Sequence, residues 1–194
     1  MAKKALVLLA QGFEEVEAVT PLDYLRRAGL EAGAAAIGEK RLVTGSHGIS
    51  VRADATLTEL VLGAGGLSAL CGALDAVLLP GGMPGAANLA ASTDVAALIE
   101  EMVRGGKIVA AICASPAVVL APLGFLKGKR FTCYPGMEQG LEGTGPRSEE
   151  NVVIDGNIIT SRGAGTAAAF AIAVIKRLQG EAAGSKVARA VLLE

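Results

Sequence analysis

A chain of 194 residues fits one domain with its own core, needing no disulfide or metal staples. Its 18 basic and 19 acidic residues nearly cancel, and no long basic run occurs, which argues against nucleic acid or an anionic membrane surface as a partner. Apolar residues reach 52%, with 26 glycines, no tryptophan and 3% aromatics, a composition suited to helices packed closely on a sheet.

Ala5–Leu9 is the first apolar run. It falls well short of the ~18 residues of a membrane span. Glu14-Glu15 follow at once, so it reads as a strand rather than a leader, and a cytoplasmic location is expected. A helix is predicted over Glu14–Ala28, closed by Gly29. Ala34–Ile37 is a second apolar run. Leu42–Leu57 reads as a small antiparallel ribbon and Gly63–Gly72 as a loose loop. Ala76–Leu79 and Ile108–Ile112 are further apolar runs. Between them Val95, Leu98, Ile99 and Met102 recur at helical spacing over Ser92–Arg104, with Ser92, Thr93 and Asp94 as capping residues. Ala117–Leu123 is helix-like, and Asp155-Gly156 inside Val152–Ile159 signals a hairpin. Helices are predicted over Thr166–Leu178 and Lys186–Leu193. Apolar runs without alternation are strands covered on both faces. Their alternation with helices predicts an α/β chain with a doubly wound, mostly parallel sheet.

Three cysteines with no CxxC pair and a single histidine favour neither a disulfide framework nor a zinc site, and no cofactor or metal is expected. Cys113 stands where the strand Ile108–Ile112 ends and Pro116 opens a helix-like segment. Open α/β sheets bind ligands at the carboxyl ends of strands. A helix N-terminus there would lower the thiol pKa. The alternative is a small buried hydrophobe. Leu79-Pro80-Gly81-Gly82 ends another strand, and its backbone N–H groups are suited to an oxyanion, although an ordinary turn reads the same way. Glu17 lies at the edge of the first strand. Pro21, four residues on, removes a bond to its carbonyl and predicts irregular backbone. Glu14 and Glu15 read as solvated acids at a helix start, and His47 as a surface-turn residue. Cys71 and Cys133 read as structural thiols.

Four segments together resemble the DJ-1 branch of the DJ-1/ThiJ/PfpI superfamily: Ala10–Glu17, Leu79–Gly82, Ala110–Pro116 and Thr160–Thr166. They occur in the family's order across nearly the whole chain. The resemblance implies a flavodoxin-like three-layer sandwich and a homodimer. It makes Cys113 an oxidation-sensitive nucleophile and Glu17 its protonated partner. Gly82 and Ala114 would supply N–H groups to the reacting oxygen. Gly81, Arg27, Ser161 and Arg162 would border the substrate site. Ala114 stands where the protease-like branch has a histidine, which disfavours a peptidase. Tyr134-Pro135 and His47 replace a histidine and an arginine of some relatives.

The expectation is a cysteine-dependent, cofactor-free enzyme acting on small 2-oxoaldehydes or their adducts. The alternative is an oxidative-stress sensor or chaperone that works through Cys113, followed by a cysteine amidase. Nothing in the residues supports the thiamine-precursor chemistry sometimes attached to such sequences.

Overall fold

The computed structural model describes residues 2–193. Strands β1 (Lys4–Leu9), β2 (Glu31–Ala36), β5 (Ala55–Thr56), β6 (Ala76–Leu79), β7 (Ile108–Ile112), β8 (Val152–Asp155) and β9 (Ile158–Ser161) form one sheet in the order β5-β2-β1-β6-β7-β9-β8. Every pairing in it is parallel except β8 with β9. A separate ribbon pairs β3 (Leu42–Thr44) with β4 (Ser50–Arg52), antiparallel as predicted.

Each face of the sheet carries its own core. On one, Val7, Leu9, Leu78 and Ile112 pack with α1 (Glu15–Arg27), α6 (Ala167–Gln179) and α7 (Glu181–Ala190) through Leu25, Phe170, Ile175 and Val187. On the other, Leu6, Leu8, Val77 and Leu79 meet α2 (Leu57–Ala64), α3 (Leu67–Ala73), α4 (Gly85–Ala91) and α5 (Thr93–Arg104) through Leu57, Leu70, Leu89 and Leu98. Alternate residues of one strand therefore enter opposite cores, and β6 and β7 are buried at every position. The fold is the expected flavodoxin-like α/β sandwich. β1 sits where successive connections turn to opposite sides of the sheet, which opens a crevice at its carboxyl end and those of β6 and β7.

Four local expectations are corrected. Gly63–Gly72 is no loop: Gly65-Gly66 breaks two short helices, and α3 forms because Leu70 and Cys71 bury. α1 runs unbroken through Pro21, whose missing N–H costs one bond without distorting Glu17. Only Pro116–Leu120 coils in the stretch after Cys113, as π-helix, with Ala121 N–H reaching Pro116 O at 3.0 Å. α7 begins at Glu181, five residues before its predicted start, because Gly180 at φ 92° turns the chain and Gly184 packs flush on Lys176.

Candidate active site

Glu17 lies in the opening turn of α1, and its side chain is driven inward under the β6 loop, 1% exposed. Oε2 accepts the Gly81 N–H at 2.8 Å. Oε1 is buried, has no conventional hydrogen-bond partner, and faces the Cys113 thiol. A buried polar atom left this way calls for an explanation. Burial favours the protonated, neutral carboxyl, which lowers the cost of leaving that oxygen unpaired.

Cys113 terminates β7 with φ 63°, the left-handed region that non-glycine residues rarely occupy. Strain of this kind persists only where the surroundings enforce it. Here its N–H donates to Ser161 O at 2.9 Å and its carbonyl accepts the Tyr134 N–H at 2.8 Å. The sulfur is thereby turned out of the sheet end, half-buried, where the Gly82 and Ala114 N–H groups donate to it. Ser115 Oγ donates to Pro80 O at 2.6 Å and locks the turn to the β6 loop.

The glycines of that loop are required by contact. A Cβ on Gly81 would lie 2.6 Å from Cys113 Cβ and 2.8 Å from Glu17 Oε2. One on Gly82, at φ 82°, would lie 2.4 Å from Glu14 N.

Burial pushes the Glu17 carboxyl up to about 7, against the lowering effect of the Gly81 N–H. Burial, then the Glu17 charge, pushes the Cys113 thiol up to about 12, against the Gly82 and Ala114 N–H groups. The expected lowering by a helix N-terminus is corrected: a five-residue π turn supplies little dipole, and an acid lies beside the sulfur. The carboxyl charge disfavours the thiolate beside it, so the thiol keeps its proton after the carboxyl has lost its own.

The remaining predicted residues scatter. Ser161 is buried, its hydroxyl donating to Asn151 O at 2.8 Å and sharing a 2.7 Å hydrogen bond with Thr166. It shapes the strand end rather than presenting a group to the pocket. Arg162 turns to Glu149, with Nη1 3.2 Å from its carbonyl. Arg27 lies at the far end of α1, exposed and paired with Asp23 at 2.6 Å, and this chain does not bring it to Cys113.

Two features went unread in the sequence. Glu15 is buried, not solvated: His47 Nδ1 lies 3.0 Å from its Oε2, and the His47 and Ile49 N–H groups donate to Oε1. Burial alone would raise this carboxyl, but those bonds bring it down to about 2. His47 is on a surface turn as predicted, yet it clamps the ribbon to α1. The one available signal was Gly45, whose Cβ would overlap Glu15 at 2.3 Å. The second feature is Met83 and Met137, which complete the pocket wall over the sulfur beside Tyr134-Pro135, the segment the resemblance puts in a pocket loop.

The DJ-1/PfpI family profile matches residues 3–177. The Drosophila melanogaster protein dj-1beta is 36% identical over 194 residues, covering 100% of this chain and 98% of that protein. The Arabidopsis thaliana protein DJ-1 homolog B is 37% identical over 188 residues, 97% of this chain but only 41% of that longer protein. A Caenorhabditis elegans protein named as a glutathione-independent glyoxalase is 32% identical over 180 residues, 92% of this chain and 90% of its own. The fold superimposes on a DJ-1 superfamily protein from Salmonella typhimurium with a TM-score of 0.89 at 37% identity, covering 98% of each chain. An oxidized Toxoplasma gondii DJ-1 gives 0.86 at 36%, again over 98% of each. No helix among the described residues is long and apolar enough to cross a membrane. Sequence, topology and the arrangement around Cys113 agree: this chain belongs to the DJ-1/PfpI family.

Proposed function

We propose that the chain is a cysteine-dependent enzyme, needing no organic cofactor or metal, that converts small 2-oxoaldehydes such as methylglyoxal, or their early adducts, to hydroxy acids. The observation that carries this is the buried Glu17 carboxyl coupled to a half-exposed Cys113 sulfur beside two free N–H donors. The worm relative named as a glyoxalase supports the same class.

The Cys113 sulfur adds to the aldehyde carbon and forms a C–S bond as its proton passes to the Glu17 carboxylate. The oxyanion faces the Gly82 and Ala114 N–H groups and takes that proton to give a hemithioacetal. Glu17, again a carboxylate, removes the hydrogen on the former aldehyde carbon, giving an enediolate, and returns that proton to the neighbouring carbon while the hemithioacetal hydroxyl proton passes to the neighbouring oxygen. That carbon is reduced as the first is oxidised, so no external oxidant or reductant enters. The product is a hydroxyacyl thioester. Water cleaves it, releasing lactate from methylglyoxal and restoring the thiol. A carboxyl pushed up to about 7 suits both halves of the proton transfer at neutral pH. The family reading brings a homodimer with it, measurable by light scattering.

Replacing Cys113 with Ser should abolish the conversion of methylglyoxal to lactate, and an unchanged rate would overturn the scheme. A sensor reading is favoured by one observation: the sulfur opens to solvent, and its N–H donors would hold a sulfinate oxygen as well as an oxyanion. Selective gain of two oxygens at Cys113 under mild peroxide, with no turnover of any 2-oxoaldehyde, would support the sensor instead.

A further inference from the structure

The crevice over Cys113 encloses about 340 Å³, far more than a three-carbon substrate fills. Its outer wall is Met83, Tyr134, Pro135 and Met137. The Met83 and Tyr134 side chains are 55% and 52% exposed, apolar surface that an occupant would cover. Tyr134 is tied to the nucleophile by its own backbone bond to the Cys113 carbonyl. Its ring and the sulfur both approach Gly163: a Cβ there would lie 3.6 Å from Tyr134 Cδ2 and 4.0 Å from Cys113 Sγ. The absence of a side chain at residue 163 keeps that approach open.

Charge in the pocket has one sign. Among the described residues of the protomer, no Lys, Arg or His lines it. The ionisable groups acting on the reacting pair are acids, Glu17 on the thiol and Glu14 on Glu17. Arg162 is engaged with Glu149. A substrate carboxylate would find no counter-charge from this protomer and would meet repulsion from its acids.

We infer that the site selects uncharged 2-oxoaldehydes bearing an aromatic or branched apolar substituent, with Met83, Tyr134 and Met137 as the residues that read that substituent. The inference rests on the enzymatic reading above and names its substrate class. With the substrate oxygen on Gly82 and Ala114, both of which line the crevice, the substituent has only the apolar wall to meet. Methionine side chains adapt to irregular apolar shapes, which suits a family of substituents rather than one.

Purified protein should show a kcat/KM for phenylglyoxal on the order of tenfold or more above that for methylglyoxal, with glyoxylate far below both. Tyr134→Ala and Met83→Ala should each lower the phenylglyoxal-to-methylglyoxal ratio by roughly fivefold. A wild-type ratio at or below unity, or a ratio unmoved in both variants, overturns the inference. A second measurement does not depend on turnover. Cys113 alkylation by iodoacetanilide, iodoacetamide and iodoacetate forms a C–S bond with loss of iodide. Each rate is divided by that for the neutral thiol N-acetylcysteamine, and the rates should fall in that order. Should no 2-oxoaldehyde turn over while this order holds, the reaction fails and the selectivity stands. Methylglyoxal turnover without the order removes the selectivity and leaves the reaction.

Discussion

Glu17 commits one carboxyl oxygen to the Gly81 N–H at 2.8 Å and presents the other, buried and otherwise unpartnered, to the Cys113 thiol. One side chain therefore holds the Gly81 turn and places an ionisable carboxyl beside the half-buried thiol. This dual contact makes Glu17 the most informative position to change.

Glu17→Gln retains an acceptor for Gly81 but removes the ionisable partner. Thiolate absorbance of the wild type should rise only near 12, because the proton lost near 7 is the Glu17 carboxyl's. The variant should show one step, lying between those two, because the thiol then ionises beside a permanently neutral neighbour. Turnover of methylglyoxal should fall by roughly a hundredfold or more, the usual contribution of a positioned acid–base group. A thiolate step left near 12 in the variant would contradict the coupling.

Stability should report the same carboxyl. The folded chain holds the Glu17 proton up to about 7, whereas the unfolded chain releases it near 4.5. Between these values the folded state binds more protons, so stability falls as pH rises, by on the order of 3 kcal/mol in total. Glu15 has the opposite sign: its folded pKa of about 2 adds stability above 4.5 that is lost as pH falls toward 2. Urea denaturation at pH 4.5 and pH 8 should show Glu17→Gln gaining on the wild type at the higher pH. His47→Ala should move acid unfolding to higher pH. Parallel wild-type and Glu17→Gln curves would refute the Glu17 assignment.

Two glycines near the sulfur should respond differently to alanine. Gly81→Ala drives a methyl into Cys113 Cβ and Glu17 Oε2, and overpacking of this kind costs about 1–3 kcal/mol. Gly163 has extended backbone, φ 165°, and its added Cβ meets nothing closer than 3.6 Å. Gly163→Ala should hold its stability within about 0.5 kcal/mol while impairing kcat/KM, since the methyl enters the space beside the sulfur. Thermal melts with paired kinetics would separate the two, and equal destabilisation would contradict the geometry.

The backbone at Cys113 carries a cost that glycine would relieve. At φ 63°, Cys113→Gly should be roughly 1 kcal/mol more stable than Cys113→Ala, since both lack the thiol and only alanine keeps the Cβ clash. Urea midpoints of the two inactive variants test this. Equal midpoints would mean the left-handed conformation is not held in solution.

Much of the frame was legible in the chain itself. Ala76–Leu79 and Ile108–Ile112 read as strands to the residue, because a strand covered on both faces must be apolar at every position. Ser92 announced α5, since its hydroxyl accepts the Val95 N–H at 3.3 Å, a local contact. The Gly63–Gly72 segment was misread because burial of Leu70 and Cys71 against α5 outweighs its glycine content.

Local pattern thus determined the central strands, α1, α5, α6 and the placing of Cys113 at a strand end, because these depend on periodicity and on contacts a few residues apart. The tertiary fold alone decided where protons and charges reside. It buried Glu15 under a turn 32 residues away and set Glu17 under Gly81, 64 residues away, while leaving Arg27 on the far end of the same helix. Whether an acid is solvated or holds its proton beside a thiol depends on desolvation and on which donors reach it, and both arise only when distant segments meet.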